Sequence, residues 1–151
     1  MQKFGLINND IDGDGIPNIG DNCPTVFNPD QLNANGDGYG DSCVAPSAFI
    51  STGTTIGDNP VIGGGSVINK NLTIGNDVVI GSDVIIGQNV TVGSNVTIGN
   101  ATVIGKFTTI GNDVTIGQGV VTGKNVTVQN CAIIADFTEI IAYATVTGAC
   151  P

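Results

Sequence analysis

From Ile50 to Val146 an aliphatic residue returns at every sixth position, with Thr122 as the one exception. Positions 50, 56, 62, 68, 74, 80 and 86 are all Ile, and the row continues through Val92, Ile98, Ile104, Ile110, Ile116, Val128, Ile134 and Ile140. Gly follows most of them. Two positions after that Gly comes Asn, Asp or Gly in most units: Asn71, Asp77, Asp83, Asn89, Asn95, Asp113 and Asn125 among them. These residue types accept a positive φ, so each unit carries its own turn. A period of six with a turn in every unit suits neither a long α-helix nor an array of antiparallel hairpins. It fits a solenoid of short parallel strands, three to a coil and nearly six coils in all. The first and fifth positions of each unit then face inward, and the stack is roughly 27 Å tall at the spacing of paired strands.

Units such as Ile-Gly-Asn-Asp-Val-Val (74–79) and Val-Gly-Ser-Asn-Val-Thr (92–97) resemble the hexapeptide-repeat, left-handed parallel β-helix family. The left hand of the coil is what that resemblance implies. Many members of the family are acyltransferases and some are zinc carbonic anhydrases. Both activities imply a His, as general base or as metal ligand, and this chain has none. The acyltransferases also usually interrupt their coils with a loop that embraces the next subunit, and no interruption occurs between residues 50 and 146. Most carboxylates of the repeat fall at turn positions; Asp77 and Asp113 share one column with Asn95 between them, which reads as turn chemistry. The expectation is a protein that is not an enzyme.

Charge is unevenly placed. Of the net −9, residues 1–49 carry −6 from seven Asp against one Lys. An acidic chain without Arg argues against nucleic acid and anionic membranes as partners. No apolar run is long and uncharged enough for insertion into a membrane, and the first ten residues hold no secretory signal, so the chain is expected to be processed, a fragment, or not exported by that route.

The acidic front has an ordered chemistry. Asp10, Asp12 and Asp14 stand at alternate positions beside Gly13 and Gly15, and Asp21 follows eleven residues after Asp10. Carboxylates in that pattern converge on one hard cation, with the Ile16 carbonyl and Asn18 filling the intermediate ligand positions. Their mutual repulsion should leave the loop loose until calcium orders it. A second, weaker copy runs through Asn33, Asn35, Asp37, Tyr39 and Asp41, with Val44 where the last carboxylate would stand. The order Asp-Asn-Cys-Pro, Asn-Pro-Asp-Gln and Asp-Gly-Tyr-Gly-Asp-Ser-Cys makes residues 10–43 similar to a thrombospondin type 3 repeat. That resemblance implies calcium as the ligand, one strong site and one weaker, and almost no regular secondary structure. The expected division is residues 1–9 as an N-terminal segment, 10–46 as the calcium module and 47–151 as the β-helix.

Four Cys allow three connectivities for two bridges. The thrombospondin resemblance suggests Cys23 with Cys43. The repeat supplies its own argument for Cys131 with Cys150, which fall on stacked units one position out of line. Bridges and calcium together point to an extracellular or cell-surface location.

Outward positions eighteen residues apart stack into columns. One is a Thr ladder, Thr55, Thr73, Thr91, Thr109, Thr127 and Thr145. Another is aliphatic, Val67, Ile85, Val103 and Val121, ending at Glu139. An exposed aliphatic stripe favours a cover, at about 25 cal/mol per Å² of apolar surface, so it is expected to contact another copy or residues 1–49. With unpaired strand edges at both rims, the chain is expected to be a secreted structural protein that assembles as a homo-oligomer or head-to-tail filament. An ice-binding or adhesin-like use of the Thr ladder is the alternative, and an acyltransferase comes last. Five Asn-X-Thr triplets arise from turn Asn and strand Thr and need no glycan to explain them.

Overall fold

The computed structural model describes residues 9–33, 38–45 and 47–150. Seventeen two-residue strands, from β1 (Phe49–Ile50) to β17 (Thr145–Val146), begin every six residues and pair in parallel with the strand three places on. They build three sheets of six, six and five strands, the faces of a three-sided solenoid. Each coil is eighteen residues, and the register is strict: Thr73 pairs with Thr91, Ile74 with Val92, Val79 with Thr97. Among the described residues there is no helix.

The inward positions are those the period predicts. Ile62, Ile68, Ile80, Ile86, Ile98, Ile104, Ile110 and Ile116 are fully buried, and Val78, Val84, Val90, Val96 and Val120 form the second inward column set. Each buried aliphatic side chain contributes about 1.5–3 kcal/mol, and the column is too thin for rings. From Gly53 to Tyr143 the fourth residue of each unit turns the corner with φ between about 55° and 75°, whatever its type. Asn, Asp and Gly do so at most corners, but Ala101, Phe107, Cys131, Phe137 and Tyr143 do so too, against their intrinsic preference. The Gly that follows most inward Ile residues answers a different need. A Cβ on Gly99 would lie 2.5 Å from the Gln118 nitrogen and the Gly117 carbonyl carbon of the next coil.

The first coil is not left bare. Val44 forms a parallel bridge with Ile62, the Ile62 N–H donates to the Cys43 carbonyl (2.6 Å) and the Ala45 N–H to the Ile62 carbonyl (2.9 Å). Residues 43–45 thus supply the missing edge of the five-stranded sheet. The acidic module sits on its own first coil, which removes half the argument for head-to-tail growth. Cys23 is bonded to Cys43 and Cys131 to Cys150. The aliphatic stripe runs Phe49, Val67, Ile85, Val103, Val121, Glu139 along one sheet. Ile85 and Val121 remain 44% exposed, so the described part of the module does not cover them.

Candidate functional site

The acidic module is built from short side chain-to-backbone hydrogen bonds, the local chemistry Asp and Asn prefer outside regular structure. Asp10 accepts from the N–H groups of Gly13 (2.8 Å) and Gly15 (2.9 Å), folding the loop over its own carboxylate. Asp12 Oδ1 accepts from the Asp14 N–H, and Asp14 Oδ1 from the Ile16 N–H. Ligand oxygens of Asp10, Asp12 and Asp14 consequently lie within 4.8 Å of one another. Asn18 closes the loop through its side-chain oxygen, which accepts from the Ile11 N–H (3.0 Å).

Asp21 is not in that tight group of three, but it is held toward it. Its Oδ1 accepts from the Cys23 N–H (2.8 Å) and the Gln31 amide (2.9 Å). Two carboxylate oxygens, Asp12 Oδ2 and Asp21 Oδ2, are buried with no hydrogen-bond partner. Buried carboxylate oxygens are normally satisfied, and a cation is one way to satisfy them. Burial pushes the Asp12 carboxyl above the ordinary Asp range; repulsion from Asp14 and Asp21 and a bond with Asp10 add to this, and the Asp14 N–H opposes it. The donor set is all oxygen and mostly charged, which fits a hard divalent cation such as calcium.

Two bracing residues went unassigned in the sequence reading. The Asn28 N–H donates to Asp14 Oδ2 (3.1 Å), and Gln31 links Asp21, the Asn22 N–H and the Asn28 carbonyl. They are the first and last residues of the Asn-Pro-Asp-Gln stretch, which is their signal in the sequence. Of the second loop, Asn33, Tyr39 and Asp41 are described and engaged with neighbours, while Asn35 and Asp37 lie outside the described residues. Between module and first coil lies a groove of about 430 Å³ lined by Asn18, Asp21, Tyr39, Asp58, Asn59 and Pro60. With Asp21 and Asp58 on its walls it suits cations and disfavours anionic cofactors.

Comparison with known proteins follows the same division. Residues 8–31 match the thrombospondin type 3 repeat. The model of the bacterial transferase hexapeptide (six repeats) matches at 53–87, 70–100, 77–112 and 95–130, together just over half of the chain. The chain belongs to the bacterial transferase hexapeptide family. A search of curated sequences finds no match. Among solved structures, this hexapeptide-family chain is similar to perosamine N-acetyltransferase from Caulobacter crescentus in complex with CoA and GDP-perosamine: 23% identity, TM-score 0.52, covering 65% of this chain and 51% of that one. It is also similar to the acetyltransferase domain of PglB from Neisseria gonorrhoeae, with 24% identity, TM-score 0.47, and 65% and 53% covered. The chain spans about half the length of these structures.

Membership of the bacterial transferase hexapeptide family overturns the expectation of a non-enzymatic structural protein that assembles into filaments. The ice-binding and adhesin-like alternatives go with it. The absence of His removes imidazole chemistry and nothing else. A carboxylate can take a proton from an acceptor amine that is already neutral.

Proposed function

We propose that the chain is the solenoid module of an oligomeric acyltransferase, moving an acyl group from a coenzyme A thioester to an amine or hydroxyl of a sugar. The observation that carries this reading is the hexapeptide match over residues 53–130 on an unbroken three-sheet solenoid. In the reaction the acceptor nitrogen or oxygen attacks the thioester carbonyl, the new C–N or C–O bond forms and the C–S bond breaks. The thiolate leaves, and the proton given up by the acceptor returns to the sulfur. With no His on the chain, a carboxylate relays that proton.

Glu139 is the residue we assign to this relay. It is the one acid at an outward strand position of the solenoid, and it pairs with Val121 at the end of the aliphatic stripe. We assign Val67, Ile85, Val103 and Val121 to a lateral contact between copies, which brings Glu139 to the rim of that contact. Hexapeptide-repeat solenoids commonly form trimers, and an oligomer fits the exposed stripe. The module would hold one calcium ion at Asp10, Asp12, Asp14 and Asp21, with the Ile16 carbonyl completing the shell, and a weaker one near Asn33 and Asp41. The ion neutralises crowded carboxylates and stiffens the cap. Two disulfides support maturation in an oxidising compartment, outside the cell or at its surface.

The test is acceptor-dependent release of free thiol from acetyl-CoA, measured across a panel of amino sugars. Turnover is expected, falling by about 10²–10⁴ in Glu139→Gln if that carboxylate is the base. No thiol release above the uncatalysed rate with any acceptor would refute the reading, and full activity in E139Q would refute the assignment of the base.

A further inference from the structure

All three Lys of the solenoid stand on one of its three edges. Lys70, Lys106 and Lys124 share a column, with Gln88 on the rung between the first two. The stacking is visible in the corner hydrogen bonds, where the N–H of residue 89 meets the Lys70 carbonyl, that of 107 the Gln88 carbonyl, that of 125 the Lys106 carbonyl and that of 143 the Lys124 carbonyl. All four side chains are exposed. The acids are sorted to the other two edges. Asp58, Asp77 and Asp113 occupy one and Asp83 and Asp136 the other, while Glu139 lies on a strand face. A chain of net −9 thus carries a purely cationic ribbon about 14 Å long, from four rungs at strand spacing.

The adjoining column on the same edge is also unusual. Its corner residues are Gly53, Asn71, Asn89 and Asn125 on four rungs but Phe107 and Tyr143 on the other two, all with positive φ. Phe107 is 51% exposed and Tyr143 69%. An aromatic ring gains nothing from a left-handed corner, so local backbone preference does not explain either residue. The Lys124 ammonium lies 5.5 Å from the centre of the Tyr143 ring, which is cation–π distance.

We propose that this edge binds an anionic polysaccharide laid along the solenoid axis, carboxylate or sulfate groups against Lys70, Lys106 and Lys124 and sugar faces on Phe107 and Tyr143. The rung spacing is about the length of one sugar ring, so a chain with one charge per sugar stays in step with the column. Nucleic acid fits less well. Its charge is far denser and its binding rests on many phosphate contacts, whereas three Lys on a strongly acidic protein offer few. The proposal does not depend on the acyl-transfer reading.

The test uses the intact chain in electrophoresis through gels containing chondroitin sulfate, neutral dextran or duplex DNA at low salt, repeated as salt is raised. Expected is retardation by chondroitin sulfate alone, fading as salt screens exposed charges. The variant K70Q/K106Q/K124Q should bind at least tenfold more weakly. F107N/Y143N should weaken binding several-fold while folding normally, because Asn already holds that corner on three rungs. Equal retardation of the triple Lys variant, or none of the wild type, overturns the proposal. Retardation by DNA at least as strong as by chondroitin sulfate reassigns the edge to nucleic acid and overturns it too.

Discussion

Thr108 and Thr102 occupy the same kind of inward position, and their hydroxyls meet opposite fates. Both are buried, at 1% and 0% exposure. Thr102 donates to the Gly117 carbonyl (2.9 Å) and accepts from the Val120 N–H, so its hydroxyl is part of the ladder between coils. Thr108 Oγ1 has no partner among the described residues. An unsatisfied buried hydroxyl is destabilising, and an isosteric apolar replacement relieves it. Thr108→Val is therefore expected to raise stability by about 1 kcal/mol, and Thr102→Val to lower it by about 1–3 kcal/mol. Midpoints of denaturant unfolding at unchanged slope would separate the two. Equal effects would mean that the hydroxyl contacts carry no weight. The period made both positions legible as inward, but not this difference, since which carbonyl lies beside a hydroxyl depends on the neighbouring coil.

At the level of strands and corners the sequence was most readable, because one rule repeats every six residues and each unit pairs only with its counterparts a coil away. The strict register leaves Thr over Thr and Ile over Ile as the spacing required. What it could not show was where the rule is kept by unsuitable residues: Ala101, Phe107, Cys131, Phe137 and Tyr143 turn corners because the coils on either side force them to. The rim at residues 43–45 was also hidden: Val44 stands six residues before Ile50 and bridges Ile62 one coil on, but Ala45 follows it where the repeat has Gly, so the position reads as the end of the acidic loop. The same nearest-neighbour logic yields a prediction for the last coil. Its inward residues Ala144 and Val146 are only half-buried, so the Cys131–Cys150 bridge adds a restraint where core packing is thin. Replacing both Cys by Ser is expected to cost about 2–4 kcal/mol of local stability. Hydrogen exchange should then quicken at 139–150 and stay unchanged at 80–116. Uniform acceleration along the whole solenoid would contradict nearest-neighbour stabilisation.

For the molecule as a whole, the open question is whether the acidic module is a passive cap or one whose order depends on a cation. Asp10, Asp14 and Asp21 are braced by Gly13, Gly15, Asn28 and Gln31 and Asp12 by the Asp14 N–H, one oxygen each of Asp12 and Asp21 is buried without a partner, and Cys43–Ala45 joins the module to the first coil. Calcium binding to the folded module alone would stabilise it by about 2.7 kcal/mol at a hundredfold excess over Kd. That gain should appear as slower exchange at 43–62, with β14 (Thr127–Val128) unaffected. Asp12 sets the pH dependence. Its carboxyl titrates above the ordinary Asp range, so without calcium its ionisation opposes folding, and that penalty is relieved as pH falls through the raised value. With calcium the sign reverses, because a protonated Asp12 no longer offers a charged ligand and the cation is released as pH falls. The stabilities of the calcium-loaded and chelated proteins should therefore converge on acidification, beginning above the normal Asp range. Asp12→Asn should remove both the calcium increment and this convergence. If chelation leaves the unfolding curve unchanged at neutral pH, the module is a covalently closed cap and calcium plays no part in holding it to the solenoid.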